Sequence, residues 1–203
     1  MNRMITAPGP GVELAARQRL ARIPITQPPG LTGRLLGWAS RRIYGQTPEP
    51  GFAMAANRKV LWATLAHERR VARFDAVEEE LKVLAVMAAA MEIGCSWCVD
   101  FGYFLADRQH LDLAKLREIP RWRESTVFTD LERRVIEFAV AASATPAAVT
   151  DEMTEPLRDA LGDAGLVELA MMVAIENQRS RFNSALGLVS QGFSAVCQLP
   201  SAR

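Results

Sequence analysis

An all-α fold is what this sequence predicts, and three observations predict it. From Phe52 onward, apolar residues recur at the three-to-four spacing that puts them on one helical face. Helix start and stop signals punctuate that pattern: Glu78-Glu79-Glu80, Gly94, the capping box Thr129-Asp-Leu-Glu132 and Gly162. No stretch shows the sustained alternation of a half-buried strand.

The first fifty residues differ from the rest. Pro8, Pro10, Pro24, Pro28, Pro29, Pro48 and Pro50 interrupt any long helix, leaving room for short ones at Val12 to Ala21 and Leu31 to Tyr44. Residues 1–50 therefore read as an arm that wraps the domain or a neighbouring subunit, 51–195 as the helical domain and 196–203 as a tail. Ala53 to Phe74, free of Pro and Gly, predicts one helix. A second should run from Ala76 to Met91, with its acidic start favoured at the positive end of the helix dipole and Gly94 as its stop. A third begins at Cys95 or Ser96 and reaches Asp107. The capping box starts a fourth, whose Leu131, Val135, Phe138 and Ala142 share a face and which Pro146 ends. Thr150 to Leu161 gives another, closed by Gly162, and Asp163 opens the last long one through Leu166, Leu169 and Val173.

The chain has 203 residues, 49% of them hydrophobic, enough for one well-buried domain. Its 24 basic and 23 acidic residues leave a net charge of +1, so it lacks the basic excess expected of a nucleic-acid binder or an acidic-membrane binder. The run Val83 to Met91 is about half of what a bilayer crossing needs. The N-terminus lacks the apolar segment of a secretory signal, and a cytoplasmic protein is expected.

Chemistry concentrates at Gly94-Cys95-Ser96-Trp97-Cys98-Val99-Asp100. Two cysteines three apart at a helix start lie about one turn from each other, within reach of a disulfide. The unpaired amides there favour thiolate. One sulfur could attack an oxidant or a disulfide, and the other resolve the product. The same pair also reads as two small buried hydrophobes. A metal site would need Cys197, His67 and His110 to converge from distant segments, so no metal is expected.

At this point the sequence resembles the carboxymuconolactone decarboxylase and AhpD-like family. Leu81-Lys-Val-Leu-Ala-Val-Met-Ala-Ala-Ala-Met-Glu-Ile-Gly-Cys-Ser-Trp-Cys-Val-Asp100 is similar to that family's Ala-rich helix ending in Gly-Cys-x-aromatic-Cys. Phe128 to Ala139, Leu166 to Leu169 and Arg181 to Gly187 look like its downstream helices, so the likeness spans about Phe52 to Gly192. The resemblance implies an AhpD-like helical bundle that forms a homo-oligomer and needs no cofactor. It implies thiol-dependent reduction of a peroxide or disulfide, with Cys98 attacking, Cys95 resolving and an external thiol or lipoyl-type dithiol restoring the pair. The family's motif adds a Glu twelve residues before the first Cys and a His four after the second, as a proton relay. Here Val83 and Gly102 stand at those places. Neither side chain can carry a proton.

Several residues are candidates to replace the relay or line the site. Glu80, one turn upstream of Val83 on the same face, could direct its carboxylate into that space, against the plainer reading of a solvated helix start. Asp100 could accept a proton or face the substrate pocket; as an exposed first-turn carboxylate it would do neither. His67 could face the dithiol from across the bundle, or be a surface histidine. Trp97 and Tyr103 could line an apolar pocket or belong to the core. Glu176-Asn-Gln-Arg-Ser-Arg-Phe-Asn183 puts polar groups into an apolar helix. Either Glu176 or Arg181 closes the pocket over the dithiol, or the cluster is a buried polar clasp. Two further readings remain: a lyase acting on a lactone acid through His67, Arg181 and Glu176, and a non-enzymatic oligomeric or regulatory protein that keeps the fold without the relay.

Overall fold

The computed structural model describes residues 12–195. The start of the arm, Cys197 and the tail 196–203 lie outside them. Among the described residues there are nine α-helices, a short 3-10 turn and no strand. None of these helices is long and apolar enough to cross a membrane. They are α1 Leu14–Leu20, α2 Gly30–Tyr44, α3 Glu49–Ala55, α4 Arg58–Val71, α5 Glu79–Ile93, α6 Ser96–Arg108, α7 Leu113–Glu118, α8 Asp130–Ser143 and α9 Asp151–Leu186.

The chain divides into two compact units. One holds Leu14–Phe74 with Ala185–Leu188, and the other Asp75–Ser184 with the segment from Val189. In this division α1–α3 of the Pro-rich stretch belong with α4 in one unit. Two local contacts hold that unit together. Arg17 Nε donates to Glu49 Oε1 at 2.8 Å, and Arg22 donates its amide to Leu186 O and its guanidinium to Ala185 O, both at 2.9 Å. Burial pushes the Glu49 carboxyl above its ordinary range, although the hydrogen bond and charge of Arg17 pull the other way. The single helix expected over Ala53 to Phe74 is instead interrupted at Asn57. Its side chain accepts from the amides of Lys59 and Val60 and so caps α4. Without Pro or Gly, the break was carried by an Asx N-cap alone.

In the other unit the expected boundaries hold to within a few residues. Gly94 closes α5 at φ +79°, a left-handed conformation that a side chain would strain. Thr129 and Glu132 form the capping box at α8. Gly162, at φ 71° and ψ 173°, breaks α9 into 151–161 and 163–186. The core gathers Leu84, Met87, Val99, Tyr103, Val135, Ile136, Leu157, Leu169 and Val173. Buried Glu168 on α9 takes the amides of Ala76 at 2.8 Å and Val77 at 3.2 Å, which fixes the approach to α5. The turn from Gln109 to α7 is a structural element that apolar spacing did not announce. Asp112 caps α7 by accepting from Ala114 and Lys115.

α5 and α6 run antiparallel. Only Gly94 and Cys95 separate them, and at the far end Gln109 Nε2 reaches Glu79 Oε1 at 3.3 Å. Glu80 belongs to that far end. Lys115 Nζ binds Glu80 Oε1 at 3.0 Å and Glu132 Oε1 at 2.7 Å, while Glu132 Oε2 accepts the Thr129 amide at 2.7 Å. Burial raises the Glu132 carboxyl, but the bonds from Lys115 and Thr129 outweigh it and leave it below its ordinary range. A depressed folded pKa contributes stability above the unfolded value, about 4.3, and loses it as pH falls through the folded one. Lys115→Met should therefore lower stability at neutral pH by about 1–3 kcal/mol. The difference from wild type should narrow below about pH 4, measured by urea unfolding across pH.

Candidate active site

Cys95 is the residue before α6 and acts as its N-cap. Its sulfur accepts the Cys98 amide at 3.2 Å. Cys98 lies in the first turn, and the two sulfurs are bonded as a disulfide with Cα atoms 5.3 Å apart. This follows from the local sequence. Gly94 turns the chain left-handed at the end of α5, and the next helix restarts at once, so residues 95 and 98 fall on one side of its first turn. Cys95 keeps 2% of its surface and Cys98 8%, so both residues are buried.

The face of α6 that carries the sulfurs meets a polar stripe on α9. Leu169, Val173, Glu176, Ser180 and Asn183 are spaced by four, three, four and three residues, and all five are buried. Ser180 Oγ lies 2.7 Å from Glu176 Oε1 and 3.3 Å from Cys98 Sγ. Asn183 Nδ2 donates to Cys98 Sγ at 3.3 Å and lies 3.8 Å from Cys95 Sγ. Arg179 Nη1 stands 3.5 Å from Glu176 Oε2, so the carboxylate has an ionic partner although only 2% exposed. Of the cluster 176–183, Glu176, Ser180 and Asn183 are buried and face the two cysteines, while Gln178 and Arg181 are exposed. Arg181 points elsewhere, to Ser143 O at 3.4 Å and Thr145 Oγ1 at 3.0 Å.

The opposite side of α6 holds the segment after α9. Asp100 is fully buried, which corrects the expectation of an exposed first-turn carboxylate. Its Oδ2 accepts from Ser190 Oγ and from the amides of Gln191, Gly192 and Phe193 at 2.7–3.1 Å, and Oδ1 accepts the Ser194 amide at 2.9 Å. Five donors occupy it, so Asp100 organises the backbone of residues 190–194. Trp97 also belongs to this side. Its Nε1 donates to Gln191 Oε1 at 2.8 Å, and its ring stacks on Phe101 at 4.9 Å and meets Phe193 edge-on at 6.1 Å. Tyr103 is completely buried in the core.

Glu80 is not brought to the sulfurs. Glu80 sits at the start of α5 beside Lys115, while Cys98 is at the start of antiparallel α6; the ten-odd residues between their levels are roughly 16 Å of helix. At the other relay position, Met87 Sδ crowds the place where a Cβ on Gly102 would lie. His67 is carried by α4 of the other unit, half-buried, with Nε2 enclosed and making no hydrogen bond among the described residues. Sequence reasoning quoted Ser180 and Asn183 within the polar cluster but singled out Glu176 and Arg181 instead. The signal was present in their four-and-three spacing from Glu176, which puts all three on the face that Leu169 and Val173 bury.

No family model matches the chain. YnjA of Escherichia coli strain K12, an uncharacterised protein, is 29% identical over 174 residues, 82% of this chain and 90% of YnjA. The solved structure of the debrominase Bmp8 is similar with a TM-score of 0.70 at 21% identity, over 95% of both chains. A protein of unknown function from Agrobacterium tumefaciens, described with a suggested role as the antioxidant defence protein AhpD, is similar with a TM-score of 0.62 at 23% identity. That likeness covers 66% of this chain and 92% of the other. At these identities the likeness is one of fold: the chain has the AhpD-like, carboxymuconolactone decarboxylase-like fold.

The Asp100 nest makes a direct prediction. Asp100→Asn turns one acceptor into a donor that faces donors, and should cost about 1–3 kcal/mol in urea unfolding. It should also speed hydrogen exchange at the amides of residues 191–194. Unchanged stability and exchange would contradict the role given to this carboxylate.

Proposed function

We propose that this protein is a thiol-dependent oxidoreductase of the AhpD-like type, cycling Cys95 and Cys98 between dithiol and disulfide. The observation that carries this reading is the bonded pair at the start of α6, with the Asn183 amide donating to Cys98 Sγ and the Ser180 hydroxyl 3.3 Å from the same sulfur. Donors aimed at a sulfur favour its thiolate, and the thiolate is the nucleophile. Cys98 has two side chains, Ser180 and Asn183, at 3.3 Å from its sulfur and keeps the larger exposed share. Cys98 is therefore the attacking thiol and Cys95 the resolving one.

With a peroxide, the Cys98 thiolate attacks one oxygen and the O–O bond breaks. Cys98 becomes a sulfenic acid and the other oxygen leaves as an alcohol after taking a proton. The Cys95 sulfur then attacks Cys98, the S–S bond forms and water leaves. In total, a peroxide and two thiols yield an alcohol, water and a disulfide. An external thiol or a lipoyl-type dithiol reduces the pair by exchange, which suits a reducing cytoplasm. The scattered groups of a lyase support that alternative less: Glu176 faces Ser180, Arg181 faces the end of α8, and His67 belongs to the other unit. Self-association remains part of the proposal, supported by Leu31, Leu35 and Trp38, which stay more than half exposed on α2.

A second reading of the substrate rests on the likeness to the debrominase, which spans 95% of both chains. The same dithiol could reduce an organic bromide: two thiols become a disulfide, carbon–bromine gives carbon–hydrogen, and bromide and a proton leave.

Reduced protein treated with one equivalent of hydrogen peroxide should fall from three free thiols to one, with mass spectrometry assigning the disulfide to Cys95 and Cys98. Cys98→Ser should abolish peroxide consumption, and Cys95→Ser should stop at a sulfenic acid on Cys98. Persistence of all three thiols in the wild type would overturn the peroxide reading. Bromide release from 2,3,4-tribromopyrrole under the same conditions would then select the bromide.

A further inference from the structure

We infer that Ser180 and Glu176 form a proton relay that activates Cys98, an inference that rests on the dithiol chemistry proposed above. Ser180 has one hydroxyl hydrogen and two acceptor lone pairs. Its oxygen stands 2.7 Å from Glu176 Oε1 and 3.3 Å from Cys98 Sγ, so a single hydrogen cannot serve both neighbours at once. With that hydrogen on the carboxylate, a lone pair of Ser180 faces the sulfur and accepts the hydrogen of a reduced Cys98. A carboxylate, a hydroxyl and a thiol in line, buried from water, are the parts of a proton wire.

The geometry leaves few other groups for this task. Arg179 is paired with Glu176 and carries no removable proton at ordinary pH. Asp100 on α6 is turned to residues 190–194 and has five donors. Residues 83–91 of α5, which packs on α6, contain no ionisable side chain. Cys95 is the bonded partner. Of these groups only Glu176 reaches the attacking sulfur through an exchangeable hydrogen.

The steps balance. Before attack, the thiol hydrogen passes to Ser180 as the Ser180 hydrogen passes to Glu176, which leaves a Cys98 thiolate and a neutral Glu176. The new Ser180 hydrogen then points at the thiolate and stabilises it. As the O–O bond of the peroxide breaks, Glu176 returns its proton through Ser180 to the leaving oxygen, giving the alcohol and restoring the carboxylate. The negative charge moves between two buried sites with no ion taken from water. Ser180 touches the reacting atom; Glu176 acts through it.

The test is the pH profile of single-turnover oxidation of the reduced protein by hydrogen peroxide, read as disulfide formed. In the wild type the rate should stay level below the ordinary thiol range, about 8.5, because the proton is shared internally rather than lost to solvent. It should fall only once acid protonates the Glu176 carboxylate as well. Glu176→Gln keeps the shape but cannot take a proton. Its rate should drop about tenfold for each pH unit below that range. Ser180→Ala should show the same slope, and thermal melts establish that each variant is folded. A purely structural role would scale the rate equally at every pH and leave the level region in place. Level profiles in both variants, or a single unbroken slope in the wild type, would overturn the relay while leaving the dithiol chemistry intact. A wild type that peroxide does not oxidise at any pH would overturn the peroxidase reading itself.

Discussion

The site depends on one contact: Ser180, on α9, stands between a buried carboxylate and the sulfur of Cys98 on α6. A carboxylate as enclosed as Glu176 is costly unless every face is satisfied. Here Arg179 supplies one partner and the Ser180 hydroxyl another. That requirement fixes the rotation of α9, because Glu176, Ser180 and Asn183 must all face inward with Leu169 and Val173. Once α9 is so rotated, Asn183 falls against both sulfurs. The dithiol is therefore not merely next to a polar cluster. The cluster can be buried because the dithiol is there to receive it.

α6 is held on its other side by a second polar device. The Asp100 carboxylate collects five donors from residues 190–194, and Trp97 adds a hydrogen bond to Gln191 and a stack on Phe101. The buried Val99, Tyr103 and Ala106 already turn one face of this thirteen-residue helix to the core. With Asp100 bound on one face and the sulfurs clasped on the other, its first turn is fixed from both directions. This separates the places of neighbouring residues: Cys98 faces the polar stripe of α9, and Asp100, two positions on, binds the segment 190–194. The two lie about 200° apart around the helix.

The fold was legible where backbone chemistry leaves a mark in a few adjacent residues. Gly94 marks the left-handed close of α5, Thr129 and Glu132 the capping box, and Gly162 the break in α9. The break at Asn57 was hidden because Asn is also tolerated inside a helix, and only its side-chain acceptance from Lys59 and Val60 decides the matter. The cysteine pair was legible from spacing alone. Its partners were not, because Ser180 lies 82 residues from Cys98 and Ser190 lies 90 from Asp100, so no local pattern pairs them. Glu80 misled for the same reason. Sequence placed it one turn from Val83, whereas the antiparallel course of α6 carries the sulfurs to the opposite end of α5.

With Val83 and Gly102 at the two relay places of the resemblance, the proposed proton acceptor is the one that α9 brings to the sulfur, Glu176 through Ser180. The sharpest test of this account is the order in which the two thiols react. Fully reduced protein, given less than one equivalent of iodoacetamide near neutral pH and mapped by mass spectrometry, should carry the label on Cys98. Preferential labelling of Cys95, or equal and slow labelling of both, would contradict the placing of the activated sulfur at Cys98.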